Sequence, residues 1–268
     1  MSVHEEIREQ QKKLKGQGFK AKLEYFWEYY KIHTIVAIFV IILLSMLIHD
    51  IRNNKPYGFY AVMLNAGMSS AEETLEQGFA PYGQIDTSKY SCFIDTSASF
   101  DLNVITETTI ATSQKIMANI AGGDLDILTA DSDIFTYYAN QQVFTDLREV
   151  LTAEQLAKYE DLFVYIDQSY IDYLNSEDYQ TYVSTGEFDS SNKYAVMADA
   201  YNKDFTTPNT DPAQMENPVP VGIRLDSSEK LAESGAYTLT GTTPVAGVVV
   251  NTKRPELAVA FLEYLLGE

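Results

Sequence analysis

Residues Ile32 to Ile48 read IHTIVAIFVIILLSMLI, 17 residues with no Asp, Glu, Lys or Arg, and nothing else in the 268-residue chain looks like them. As a helix they rise by about 25 Å, slightly short of a ~30 Å hydrocarbon core. The flanks extend that reach. Tyr25, Trp27, Tyr29 and Tyr30 offer rings suited to the headgroup level, and Lys31, His33, His49 and Asp50 can reach water at the two ends. A buried core helix would be shorter and interrupted by polar residues. A cleaved signal would show a small-residue site, which His49-Asp50-Ile51-Arg52-Asn53 does not offer, and no Cys stands just after the apolar run to carry a lipid. The expectation is a single uncleaved transmembrane helix over 32–49.

Charge orients it. Residues 1–31 hold seven Lys/Arg against five Glu, whereas residues 51–268 hold 12 Lys/Arg against 32 Asp/Glu, a net charge of −20. The positive side is expected to be cytoplasmic and the C-terminal domain extracytoplasmic. Residues 4–15 are helical in pattern but polar, Gly16-Gln17-Gly18 breaks them, and Leu23, Phe26, Trp27 and Tyr30 then line one apolar face. That pattern suits an interfacial helix leading into the bilayer. Residues 50–56 read as a linker and 57–268 as an extracytoplasmic domain, large enough for one domain or two small lobes. Its acidity argues against nucleic acid and against lying on anionic lipid. Cys92 is alone, so an internal disulfide is impossible, and Tyr90-Ser91-Cys92-Phe93-Ile94 reads as a buried strand.

The outer domain alternates strand and helix patterns. Strands are expected at 57–64, 89–95, 125–129, 194–197, 221–225 and 245–251. Helices are expected at 70–79, 104–120, 132–140, 147–162 and 255–265, with Thr206 to Pro220 as a long loop. Strands separated by helices imply βαβ units, an α/β fold and a mainly parallel sheet.

Missing chemistry narrows the function. The only histidines are His4, His33 and His49, so the outer domain has none. That removes Ser-His-Asp and Cys-His nucleophiles, histidine acid–base catalysis and the usual zinc and iron sites. Gly122-Gly123 precedes a strand and is no phosphate cradle. Asp131-Ser132-Asp133 could hold a metal as D-x-D, but reads more simply as a helix cap with a first-turn acid. No catalytic residue, metal site or cofactor is expected. A carboxylate-pair glycoside hydrolase is the weakest of the alternatives.

Two stretches carry a resemblance. Gly123-Asp124-Leu125-Asp126-Ile127, followed by Gln142-Val143-Phe144-Thr145-Asp146-Leu147, resembles the type 2 extracellular solute-binding proteins of ABC importers. There "G-D-x-D" meets a strand, and a glycine before an apolar residue, with Asp-Leu soon after, leads into a later helix; Gln142 stands here in place of that glycine. The second stretch, Pro244 to Leu265, resembles that family's late strand, its "N-x-K-x-P-E" turn and its closing helix. The resemblance implies a periplasmic-binding-protein-like domain of two small lobes, with a solute held at strand C-termini and helix N-termini. The βα-turn positions are then Asn65, Ser69 and Ser70; Asp131 and Ser132; Asp199 and Tyr201; Asp226 and Ser227. Ser70 with Glu73 and Asp226 with Glu229 also show capping-box spacing. The function so implied is a non-enzymatic, membrane-tethered bacterial surface protein that presents or senses a small solute near an ABC-type importer. The alternative is a structural or signalling subunit of a membrane complex that uses the fold for protein contacts alone.

Overall fold

A computed structural model describes residues 18–53, 55–67, 69–204, 211–238 and 241–268. The chain divides into two units, Met1–Lys55 and Pro56–Glu268. The expected helix over 4–15 lies outside the described residues.

In the first unit, α1 (Phe19–Asn53) is one uninterrupted helix of 35 residues. Its segment Tyr30–Ile48 spans 19 residues, is long and apolar enough to cross a membrane, and has none of its length buried. An exposed apolar helix near the N-terminus fits a secretory signal or a single-pass anchor. The aromatic approach and the apolar stretch are continuous: the Phe26 and Tyr30 rings stack at 5.6 Å, one helical turn apart. α1 runs on to Asn53, within the expected linker over 50–56.

The second unit begins β1 (Tyr57–Met63), α2 (Ser69–Tyr82), β2 (Ser91–Asp95), α3 (Glu107–Gly122), β3 (Ile127–Asp131) and α4 (Ser132–Ala139). Next come α5 (Leu147–Val150), α6 (Ala153–Tyr159), a 3-10 turn and β4 (Phe163–Asp167). Three helices follow, α7 (Gln168–Leu174), α8 (Glu177–Thr185) and α9 (Lys193–Asp204). The chain closes with β5 (Pro218–Arg224), α10 (Glu229–Ser234), β6 (Pro244–Val248) and α11 (Pro255–Leu266).

All six strands form one sheet in the order β2-β1-β3-β6-β5-β4. The α/β expectation holds, but the sheet is mixed rather than mainly parallel. β1 is parallel to β2 and β3, whereas β3–β6, β5–β6 and β4–β5 are antiparallel. A parallel return needs a crossover that carries the chain back along the sheet. Between β5 and β6 the only helix among the described residues is α10, six residues rising about 9 Å. β6 accordingly starts at the edge where β5 ends, with Arg224 paired to Val245.

Helices cover both faces. One buried cluster joins Phe59, Ala61 and Met63 of β1 to Leu75 and Phe79 of α2 and Phe261 of α11. The other joins Tyr60, Val62 and Leu64 to Ile116 and Ile120 of α3 and Phe135 and Tyr138 of α4. The alternation along β1 is that of a strand buried on both sides. Phe135 and Phe144 stack at 4.2 Å against two glycines of the sheet. A Cβ on Gly222 would lie 2.4 Å from Phe135 Cζ, and one on Gly247 2.5 Å from Phe144 Cδ1.

Three further expectations change. The helix over 147–162 is broken at Thr152, which leaves α5 in extended backbone and opens α6 with a reciprocal capping box to Gln155. Tyr194–Met197 is helical, not a strand. Tyr194, Ala195 and Ala198 pack on Tyr170, Ile171 and Tyr173 of α7, a helical spacing that four residues alone do not reveal. The region expected to be loop to Pro220 already contains β5 from Pro218. Consequently the second lobe has no sheet of its own among the described residues: Pro56–Glu268 is one compact unit, with α7–α9 as a tyrosine-rich helical satellite.

Much of the acidity has a local role. β2, β3 and β4 each end in an aspartate whose carboxylate accepts the amide two residues on: Asp95 from Ser97, Asp131 from Asp133 and Asp167 from Ser169. Ile94-Asp95-Thr96-Ser97 and Ile166-Asp167-Gln168-Ser169 are the same strand-stop written twice.

Candidate functional site

The direction of the strands gathers their ends. β1, β2, β3 and β5 all finish at one edge of the sheet, where β6 begins opposite Asp131 and Arg224. α2 leaves β1 over one face and α3 leaves β2 over the other, as their contributions to the two clusters show. The gap between the ends of β1 and β3 is therefore the topological switch point, where open α/β sheets hold their ligands.

Most of the predicted positions converge on this edge. Asn65 follows β1 in a left-handed turn (φ 57°). Its side chain grips the chain beyond β2, donating to Phe100 O at 2.7 Å and accepting from Phe100 N at 3.0 Å. Ser69 opens α2, with its side chain outside the described residues, and Ser70 is the second helical residue rather than the cap. Asp131 caps α4 as expected, accepting from the amides of Asp133 and Ile134 at 3.1 Å. Ser132 is exposed beside it. Asp226 and Ser227 turn the chain after β5, but the cap of α10 is Ser228, which accepts from Leu231 N at 3.2 Å, while Asp226 pairs with Arg224 at 3.5 Å.

Asp199 and Tyr201 sit in α9 and follow no strand. Asp199 accepts from Tyr182 Oη at 3.0 Å and Lys203 Nζ at 2.9 Å, which hold its carboxyl below the ordinary range. Tyr201 is half-buried. Burial raises its hydroxyl pKa, and the charges of Tyr137 and Asp133 in α4 add to the effect, which puts it within electrostatic reach of the Asp131–Asp133 turn.

Sequence reasoning missed a polar group at the end of β2. Asp95 is buried and accepts from Lys115 Nζ at 2.8 Å and Ser97 Oγ at 2.8 Å. Burial works to raise its pKa, but these bonds outweigh it and hold the carboxyl low. For Lys115, burial works downward and Asp95 upward, and the ammonium is held above its ordinary value. Glu72 lies nearby, its carboxyl pushed up by burial and then by the Asp95 charge. The signal was the repeated Ile-Asp-x-Ser, whose partner on α3 only the fold supplies. Tyr237 was missed as well. It is buried at the switch point, its amide donating to Ala66 O at 3.0 Å and its hydroxyl to Thr129 O at 3.2 Å.

The opposite edge is a structural clasp. Asp126, wholly buried, accepts from Arg254 Nε, Thr252 Oγ1 and Tyr60 N. Arg254 also donates to Tyr57 O and Asp124 O, and Lys253 to Gly122 O. The two stretches that carry the family resemblance thus bind each other. Two shallow grooves lie outside the switch point, one of about 330 Å³ beside Tyr57, Ile85 and Tyr90, the other of about 370 Å³ along β4 and β5 beside Phe163, Tyr165 and Pro220. Among the described residues no group of three or more His, Cys, Asp or Glu could hold a metal ion. No protein-family model, curated protein or solved structure matches the chain.

Proposed function

We propose that the chain is a membrane-tethered, non-enzymatic solute-binding-like protein whose ligand side is the strand-end edge of the sheet. Its N-terminus is cytoplasmic and its acidic α/β domain faces outward at a bacterial surface, near an importer or another membrane complex. The observation that carries this reading is the convergence of Asn65, Asp131, Ser132, Asp226 and Ser227 on one edge around the switch point. The mutual binding of the two resemblance stretches through Asp126 and Arg254 adds support. The family assignment, type 2 extracellular solute-binding protein, is part of the proposal. The test is a thermal-shift screen of the full chain in detergent against sugars, amino acids, peptides and organic anions. A ligand of the native state raises Tm by mass action. No shift across such a screen would remove the reading.

One observation favours the second reading, a subunit that keeps the fold and works through protein contacts: the switch point is filled by Tyr237, and Asn65 and Asp131 are engaged within the chain. Crosslinking in the native membrane separates the two, because solute-independent partners belong to the second.

A further inference from the structure

Tyr237 has the contacts of a core residue but not the backbone of one. It is 6% exposed, yet its φ is +60°, a region that L side chains rarely adopt. Two residues earlier Gly235 has φ +82°, and a Cβ there would meet nothing within 4 Å, so that glycine serves backbone freedom rather than space. The phenol lies in the cluster with Met63, Ala66 and Leu225, and its hydroxyl donates to Thr129 O at 3.2 Å. The Thr129 side chain is fully buried, and its Oγ1 has no hydrogen-bond partner among the described residues. Thr129 follows Ile127 by two along β3, so its side chain faces the cluster that holds Tyr237. Left-handed backbone thus holds a buried ring at the switch point, beside one acceptor in use and a second polar atom unsatisfied among the described residues.

From this we infer that Tyr237 is an internal plug in a ligand chamber, and that a small hydroxylated aromatic solute takes its place when Gly235–Tyr237 swings out. The ring would fill the apolar cluster, one hydroxyl would donate to Thr129 O, and a further polar atom would meet Thr129 Oγ1. The inference rests on the strand-end edge being the ligand side and adds the solute class.

The probe is p-cresol, the tyrosine side chain itself, with toluene as the ring without the hydroxyl. The full chain in detergent is titrated by calorimetry, and hydrogen exchange is followed with and without probe. Saturating p-cresol should speed exchange of the Tyr237 amide about tenfold while β1 and β3 exchange no faster. Tyr237→Phe, which loses the hydroxyl that donates to Thr129 O, should bind p-cresol about fivefold tighter than wild type. Tyr237→Gly should bind it tighter still, and prefer it to toluene. If Tyr237→Gly fails to fold, wild type and Tyr237→Phe decide alone. No p-cresol binding in any form, or binding that the substitutions leave unchanged, overturns the inference. A solute that stabilises the protein without releasing the Tyr237 amide would uphold the proposed function and overturn the plug.

Discussion

Arg254 Nε sits 2.9 and 3.1 Å from the two carboxylate oxygens of Asp126, a residue 128 positions earlier in the chain and wholly buried. The pair ties the turn after β6 to the start of β3. Burial pushes the Asp126 carboxyl up, and the bonds from Thr252, Tyr60 and Arg254 oppose it. Removing one partner strands the other charge, so Asp126→Ala or Arg254→Ala should each cost about 3–5 kcal/mol. The paired replacement Asp126→Leu with Arg254→Met should cost clearly less than the sum. Urea unfolding of the four proteins measures this, and additive costs would mean the pair is not coupled.

Gly222 and Gly247 leave room for the Phe135–Phe144 stack. Gly247→Ala places a methyl 2.5 Å from Phe144 Cδ1 and 2.9 Å from Val221 O. The ring can shift only into a filled core, and the cost should be about 1–3 kcal/mol. Thermal unfolding checks it, and Gly247→Ala with Phe144→Leu should recover part of the loss.

The α/β class and the central strands were legible because β1, β3 and β6 are apolar runs ended by turn residues, and α4 and α11 carry their start signals in Asp131 and Pro255. Strand direction was not. Nothing local in Pro244–Val248 says that it runs against β3; that follows from the short α10 and from pairing across the sheet. Of the candidate site, Asn65, Asp131 and Asp226 were legible as turn residues after strands. Asp199 was not, because Tyr194–Met197 imitates a strand while packing as a helix. Tyr237 carried no local signal, since its place depends on Ala66 and Thr129, which lie far from it in the chain.

Acid should act in two stages. Glu72, Glu76 and Asp126 have carboxyls raised by burial, so the native state takes up their protons first and stability rises as pH falls from neutral toward the ordinary carboxylate range. Asp95 and Asp167 behave oppositely. Burial works upward, but Lys115 and Ser97 for the one, and the amides of Glu216 and Asn217 with Tyr194 Oη for the other, hold them below 3.8. Their stabilisation is complete above that value and is lost as pH falls through the lowered ones. Tm against pH should therefore peak in mild acid and drop below about pH 4. Asp95→Asn should blunt the drop, and a profile that falls steadily from pH 7 would contradict the assignment.

The proposed orientation predicts a sided protease pattern. In intact cells, protease added outside should remove an epitope placed after Glu268 and spare one placed before Met1. Protection of both, or loss of the N-terminal epitope alone, would reverse or abolish the proposed topology.

The most direct test of the ligand side is hydrogen exchange on the full chain with the best solute from the thermal-shift screen. The account predicts slower exchange at the amides of Ala66, Asp133, Ile134 and Ser228, which ring the strand-end edge, and little change at Thr252 and Arg254 on the opposite edge. Protection confined to the groove beside Tyr57 and Tyr90, or to that beside Phe163 and Pro220, would contradict it.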